Sequence, residues 1–174
     1  GSNWGLMEAE GMAFIAVMFP QFKDALTWRD EAFRRLVAET KVQVYPDGHQ
    51  KELTIGYHTG CINWFFRTYE LAKLNGLESH FSGSYLETIQ KMCEVPMKIC
   101  LPDGTNVPFG DAWSGTPGQY DNSFRQWAGF FDREDFLYLA SHGREGTEPD
   151  RTNFAMPQSG LYSIRSGWDP DAIC

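Results

Sequence analysis

The stretch that decides the fold is Tyr45–His58, with the sequence YPDGHQKELTIGYH. Its Pro46-Asp47-Gly48 segment is typical of a turn, because proline presets the backbone and glycine accepts left-handed conformations. The stretch therefore ends one helical segment and returns the chain to another helix at Gly56. Tyr57 and His58 then lie side by side at a helix N-terminus, and proton-transfer chemistry can be built from such groups.

Helical segments are predicted on both sides of this loop, from apolar side chains that recur every three or four residues. Proline residues are expected to end the first and the fourth of them. The predicted long helices are Trp4–Phe19, Leu26–Val44, Tyr57–Leu74 and Gly83–Met92 or slightly beyond.

The second half of the chain has a different character. Residues 101–120 are rich in proline and glycine and are predicted as a long irregular loop, a kind of segment that is often functional. Short helices are expected at about 122–131 and 133–141, and a single β-strand at 161–165. The sequence thus predicts a mainly α chain with a helical region 1–143, a linker 144–158 and the start of a β-domain 159–174.

Composition excludes several classes of protein. The 174 residues carry a formal net charge of −8, which argues against a general binder of nucleic acid or of anionic membranes. No apolar run is long enough to span a membrane, and no signal peptide is visible. The four cysteines form no CxxC pair and no zinc-ligand spacing, so no metal site and no cofactor are expected.

Tyr57 is the first candidate for acid–base chemistry. The dipole of a helix N-terminus and a nearby cation such as Lys51 would both favour its phenolate. The side chain could then act as a base, or as the acid that returns the proton. The alternative is that Tyr57 packs on the rings of its own helix while His58 hydrogen-bonds the loop.

Four further side chains are candidate substrate contacts, each with a structural alternative. Asn3 can hydrogen-bond a substrate carboxylate, or it can cap the first helix. His49 and Glu52 can orient a base or bind substrate, or they can remain solvated in their loop. Trp113 can stack on a sugar ring, or it can pack against the protein.

Four stretches follow one another in an order that carries a family resemblance. Together they resemble the heparinase II/III-like family of polysaccharide lyases, which includes the oligoalginate lyases. The stretches are Asn3–Ala9 with Phe19–Lys23, Pro46–Gly48 through Glu52 to Tyr57–Gly60, Leu101–Thr105 with Phe109–Asp111, and Ser159–Tyr162 with Arg165–Asp169.

The resemblance implies an (α/α) toroid of antiparallel helix pairs, followed by an antiparallel β-sandwich, with a cleft between them. This chain is then expected to be a fragment, with a partial toroid and the first strand of a truncated sandwich. The resemblance also implies β-elimination on a uronic-acid polysaccharide, in which a base takes the C5 proton and an acid protonates the departing C4 oxygen. Tyr57 matches the catalytic tyrosine, Asn3 matches the residue that neutralises the uronate carboxylate, and His58 is carried over as a neighbour of the site.

Two departures from the family pattern limit what the chain can do alone. Trp4 stands where some members have a histidine, and the sandwich segment that supplies another active-site histidine is not in this chain. The isolated chain is therefore expected to be inactive, and such lyases meet acidic polysaccharides in the periplasm or outside the cell. The alternatives are a non-catalytic helical glycan-binding module that uses Trp113, or a toroid glycoside hydrolase with two carboxylates facing one cleft.

Overall fold

The computed structural model describes residues 3–169 and 171–174. Over these residues the chain is mostly helical, with one short antiparallel pair of strands. Its elements are α1 (Asn3–Met18), α2 (Ala25–Gln43), α3 (Ile55–Leu74), a 3₁₀ turn (Glu78–His80), α4 (Gly83–Ile99), α5 (Asp121–Phe131), α6 (Glu134–Ala140), β1 (Phe154–Met156) and β2 (Leu161–Ser163).

The chain divides into two compact units. Unit 1 comprises residues 1–52 and 57–92, and unit 2 comprises residues 53–56 and 93–174. The domain boundaries drawn from the sequence, at 143 and 158, stay a prediction.

Aromatic rings form the core of unit 1. Phe81 lies at the centre, with its ring centroid 4.9 Å from that of Phe33 in α2 and 4.7 Å from that of Tyr85 in α4. The Tyr85 ring also meets Phe65 of α3 edge-on, and its buried hydroxyl donates a 2.9 Å hydrogen bond to the Phe65 carbonyl. Large rings bury much apolar area, and the hydroxyl needs such an acceptor when it leaves water.

An ion pair ties α1 to α3 inside unit 1. Arg67 Nε of α3 donates a 2.9 Å hydrogen bond to the buried Glu10 carboxylate of α1, and the guanidinium lies over the Phe14 ring. A buried carboxylate is stable only when it is paired and hydrogen-bonded. This contact therefore holds together the two helices whose first turns carry Asn3 and Tyr57.

Unit 2 is organised around the buried Arg165, which follows β2. Its Nη2 donates to the carbonyls of Met97, Lys98 and Cys100 at 3.2, 3.3 and 2.9 Å. These carbonyls stand at the C-terminal end of α4, where helices leave acceptors without intrahelical donors and where a cation is favoured. The guanidinium also stacks on the Trp168 ring at 4.3 Å, so one side chain joins the end of α4 to the last segment.

Two expectations from the sequence are corrected here. Pro96 was expected to limit the fourth helix, but α4 continues through it to Ile99. The strand near residue 161 was predicted to have no partner, but β2 pairs with β1, which lies in the stretch assigned to a linker. Ala155 is opposite Tyr162 in this antiparallel register.

None of the helices among the described residues is both long enough and apolar enough to cross a membrane.

Candidate active site

The loop between α2 and α3 begins as a tight hairpin. Tyr45 N–H donates to His49 O and Gly48 N–H donates to Tyr45 O, both at 2.9 Å, and Val44 pairs with Gln50 in an isolated antiparallel bridge. Gly48 has φ +98°, a conformation that only glycine adopts without strain. The predicted turn at residues 46–48 is therefore confirmed, and it delivers His49 and Gln50 into the interior.

The His58 imidazole is fully buried, and both of its ring nitrogens are hydrogen-bonded. Gln50 N–H donates to Nδ1 at 3.1 Å, and Nε2 lies 2.9 Å from the Met92 carbonyl oxygen. A carbonyl can only accept, so Nε2 carries the proton and Nδ1 does not. The ring is thus held as one neutral tautomer, and a proton added at Nδ1 would face the Gln50 N–H.

Pro96 explains why the Met92 carbonyl is available to His58. In a regular helix the N–H of residue 96 would donate to the carbonyl of residue 92, but proline has no N–H. The carbonyl turns to His58 instead. The proline that was expected to end α4 therefore leaves an acceptor for the residue next to Tyr57.

His49 is also buried and lies against His58, with ring centroids 4.9 Å apart in a stacked arrangement. Its Nδ1 lies 2.8 Å from Gln50 O and so carries the proton, while Nε2 has no partner within the described part of the chain. Burial lowers the pKa of His49. Burial, together with the neighbouring His49, lowers the pKa of His58 to about 3.

These lowered pKa values predict acid-sensitive stability. The folded protein holds His58 neutral while the unfolded chain takes up a proton below pH 6.5, so the free energy of unfolding should fall as pH drops from 6.5 towards 3. The slope from one such group is about 1.4 kcal/mol per pH unit. Denaturant unfolding of the complete polypeptide at several pH values measures it. His58→Gln should flatten this slope, whereas the control His80→Gln, at an exposed position, should keep the wild-type slope. Equal slopes in the wild type and both variants would contradict a neutral, buried His58 as the source of the pH dependence.

Tyr57 differs from His58 in being accessible. It is the third residue of α3, and its side chain is 38% exposed. The chain reaches it through Leu53, whose φ of +56° is unusual for a residue with a bulky side chain and costs about 1 kcal/mol. Strained backbone of this kind is found most often at functional sites. The structure thus presents a phenol at the surface directly beside an imidazole locked in the interior.

Asn3 is the first residue of α1 and is buried. It shares unit 1 with Tyr57, His58, His49 and Glu52. The Glu10–Arg67 ion pair joins its helix to α3. No structural finding tests the assigned roles of these side chains, so they stay predictions.

Glu52 lies on the exposed side of the loop and is oriented by Gln50. The Gln50 carboxamide donates to Glu52 Oε1 at 3.2 Å and accepts from Glu52 N–H at 2.9 Å. Gln50 itself is fully buried, and its Nε2 also donates to Gln43 Oε1 at 3.2 Å. No sequence signal points to Gln50, because a glutamine between a histidine and a lysine has the composition of an ordinary polar loop.

Trp113 lies in unit 2 and is 85% exposed. The irregular loop that carries it is fixed by the buried Asn106, which donates from its side-chain amide to Trp113 O at 3.2 Å and from its backbone to Ser114 O at 2.6 Å. The Tyr120 hydroxyl donates to the Asn106 carboxamide oxygen at 2.8 Å. The loop is therefore ordered by internal hydrogen bonds, with an aromatic ring facing solvent.

No group of three or more His, Cys, Asp or Glu side chains in the described ranges is arranged to hold a metal ion. The three buried cysteines, Cys61, Cys93 and Cys100, and the exposed Cys174 are free thiols. Burial raises the pKa of Cys61 and of Cys100 to about 12, so these thiols stay protonated at neutral pH.

Comparison with known proteins gives a family match over most of the chain. Residues 1–138 match the family model described as the heparinase II/III N-terminus. A heparin-sulfate lyase of Pedobacter heparinus is 37% identical over 171 residues, which are 98% of this chain, and one of Bacteroides thetaiotaomicron is 32% identical over 183 residues. The chain spans 26% of the length of each.

Two solved structures have the same fold as this chain over nearly its whole length. The crystal structure of the heparan sulfate lyase HepC from Pedobacter heparinus superposes with a TM-score of 0.84 and 38% identity, covering 96% of this chain and 26% of that one. A crystal structure of heparinase III gives a TM-score of 0.89 with 28% identity, over 99% of this chain and 28% of that chain. The mainly helical class expected from the sequence is confirmed, and the strand expected after the helices is present as β2, paired with β1.

Proposed function

Because this chain belongs to the heparinase II/III family, through the match of its residues 1–138, we propose that the complete polypeptide is a polysaccharide lyase. Its proposed substrate is a uronic-acid-containing glycosaminoglycan of the heparan type, which the names of its relatives support. The reaction is β-elimination. The C5–H bond of the uronate breaks, its electron pair forms the C4=C5 double bond, and the C4–O bond breaks as the departing oxygen takes a proton.

Tyr57 is the proposed proton-transfer residue. The observation that carries this role is the contrast between two adjacent side chains: the Tyr57 phenol is accessible to a polymer, whereas His58 is buried with both nitrogens occupied. A general acid or base must come within hydrogen-bond reach of the proton that it transfers. Of the two, only Tyr57 can do so without the loop opening, and His58 and His49 are proposed to support it from the interior.

Asn3 is the proposed partner of the uronate carboxylate. The C5 proton is weakly acidic, and its loss places negative charge on the carboxylate group as the enolate-like intermediate forms. Hydrogen-bond donors fixed at the point where charge develops are among the largest contributions to catalysis. The side-chain amide of Asn3 is proposed as a donor of this kind, because Asn3 keeps 9% of its surface exposed whereas His58 has none. The Glu10–Arg67 pair that joins α1 to α3 supports a fixed geometry relative to Tyr57.

The remaining candidates receive roles in binding the polymer. Glu52 is exposed and oriented by Gln50, which suits a contact with substrate hydroxyl or amide groups. Trp113 is proposed to stack on a sugar ring of the bound polymer, because its indole is exposed and its loop is hydrogen-bonded in place. The substrate is a polymer met outside the cytoplasm, so the proposed location is periplasmic or secreted.

The test is an elimination assay on the complete polypeptide. Heparan-type chains should give a rise in ultraviolet absorbance from unsaturated uronate ends. The matched control is the same polymer with its uronate carboxyl groups reduced to alcohols, which removes the group that stabilises the intermediate and should abolish the rise. Binding to the intact polymer without any product would instead favour a non-catalytic glycan-binding module, for which the exposed Trp113 is the structural argument.

A further inference from the structure

The Gln50 side chain makes three hydrogen bonds in the α2–α3 loop. It is fully buried, although glutamine is seldom found there, and a buried carboxamide must satisfy its donors and its acceptor. Its Nε2 donates to Gln43 of α2 and to Glu52, and its Oε1 accepts from Glu52 N–H. The side chain thus anchors the end of α2 to the segment that leads towards α3.

The backbone of the same residue holds both histidines. Its N–H donates to His58 Nδ1 at 3.1 Å, and its carbonyl accepts from His49 Nδ1 at 2.8 Å. His58 in turn donates to the Met92 carbonyl of α4 at 2.9 Å. One residue therefore connects α2, the loop, the first turn of α3 and α4 through named hydrogen bonds.

We propose that Gln50 is a positioning residue for the elimination reaction, acting through His58 and Glu52 to fix Tyr57 against the substrate. This proposal rests on the proposed function. Tyr57 follows Glu52 by five residues and directly precedes His58, so a shift of the Gln50 anchor moves both ends of the segment that carries the phenol. A misplacement of about 1 Å at a reacting group can reduce the rate by about a hundredfold.

The discriminating substitution is Gln50→Met, which keeps the length of the side chain and removes its three side-chain hydrogen bonds. In the complete polypeptide we expect kcat to fall by about tenfold to a hundredfold, the range found when residues that orient an active group are replaced. KM should change by less than kcat does, because Gln50 is buried and only the Glu52 contact of the binding surface is loosened. Gln126→Met, at an exposed position in α5, is the control for the chemical change and should retain full activity.

A double-mutant cycle separates positioning from general destabilisation. In a Tyr57→Phe background, Gln50→Met should lower the residual rate by less than about twofold, because residues that act as one unit are not additive. An equal loss in both backgrounds, a rise in KM alone, or full activity of the folded Gln50→Met protein would each overturn the proposal. If Gln50→Met does not fold, Gln50→Asn serves instead, since it keeps an uncharged carboxamide and shortens it by one methylene, which weakens its bonds to Gln43 and Glu52; the same cycle applies.

The cycle also separates this proposal from the proposed function. If Tyr57→Phe keeps the wild-type rate, the role of Tyr57 is wrong and the positioning proposal fails with it. If Tyr57→Phe is inactive while Gln50→Met is fully active, only the role of Gln50 is rejected.

Discussion

Tyr57→Phe should reduce the kcat of the complete polypeptide by roughly 10²- to 10⁴-fold, the range of a lost general acid or base. The substitution removes one hydroxyl and keeps the ring, so the packing of the first turn of α3 is retained. KM should stay close to that of the wild type, because the phenol acts on the proton and contributes little to binding the polymer. The rate of formation of unsaturated uronate ends, followed by ultraviolet absorbance over a range of substrate concentrations, measures both constants.

Two controls make this result specific. Tyr162→Phe removes the hydroxyl of another exposed tyrosine, in β2, and should leave the rate unchanged. Thermal unfolding of the Tyr57→Phe protein should match that of the wild type, which shows that the loss is chemical. A Tyr57→Phe enzyme with an undiminished rate would remove Tyr57 from the reaction, and the base would then have to be sought elsewhere in the polypeptide.

The sequence was sufficient for the helices because their apolar spacing and their end signals agree. The predicted and observed bounds of the first three long helices differ by at most two residues, for example Trp4–Phe19 against Asn3–Met18. Turn chemistry at residues 46–48 also placed the break correctly. These features depend on residues within about four positions along the chain, so they can be predicted from the local sequence.

Features that depend on distant partners could not be predicted in this way. Pro96 was expected to end the helix, because a proline removes a backbone hydrogen bond. The sequence does not show that His58 donates to the Met92 carbonyl, which Pro96 leaves without its helical donor. The strand β1 has three residues, too few for an alternating pattern, and it is recognised only by its pairing with β2.

The residues of the candidate site also differ in whether local sequence or distant residues determine their placement. Tyr57 became a candidate because of its position after a loop and the order of four family-like stretches, both of which can be read from the sequence, and its role stays a prediction. The burial of His49 and His58 was not visible, because the same residue types in a polar loop are equally compatible with solvent exposure. Gln50 was missed altogether, because its burial and its hydrogen bonds to Gln43 and His58 depend on residues seven and eight positions away.

Gly48 is expected to be the most sensitive position of this loop for stability. Its φ of +98° would strain any residue with a side chain, at about 1 kcal/mol. A Cβ at this position would also collide with the backbone carbonyl group of Lys91 in α4, whose carbon would lie only 2.7 Å away. Backbone cannot yield as a flexible side chain can, and forced overpacking costs a further 1–3 kcal/mol, roughly.

Gly48→Ala should therefore destabilise the loop by about 2–4 kcal/mol, whereas Gly76→Ala should cost only about 1 kcal/mol. Gly76 is the matched control because its φ is +68° and no atom lies within 4 Å of the position that its Cβ would take, so it isolates the backbone strain from the collision. Hydrogen exchange of the amides of Lys51 and Gln50, which donate to Gln43 O and His58 Nδ1, measures local opening in the complete polypeptide. Both amides should exchange at least tenfold faster in Gly48→Ala than in the wild type or in Gly76→Ala. The elimination rate of Gly48→Ala should also fall, because the Gln50 anchor lies two residues from the collision. Equal exchange rates of these amides in Gly48→Ala and Gly76→Ala would show that the collision with Lys91 adds no destabilisation, and that α4 does not hold the loop.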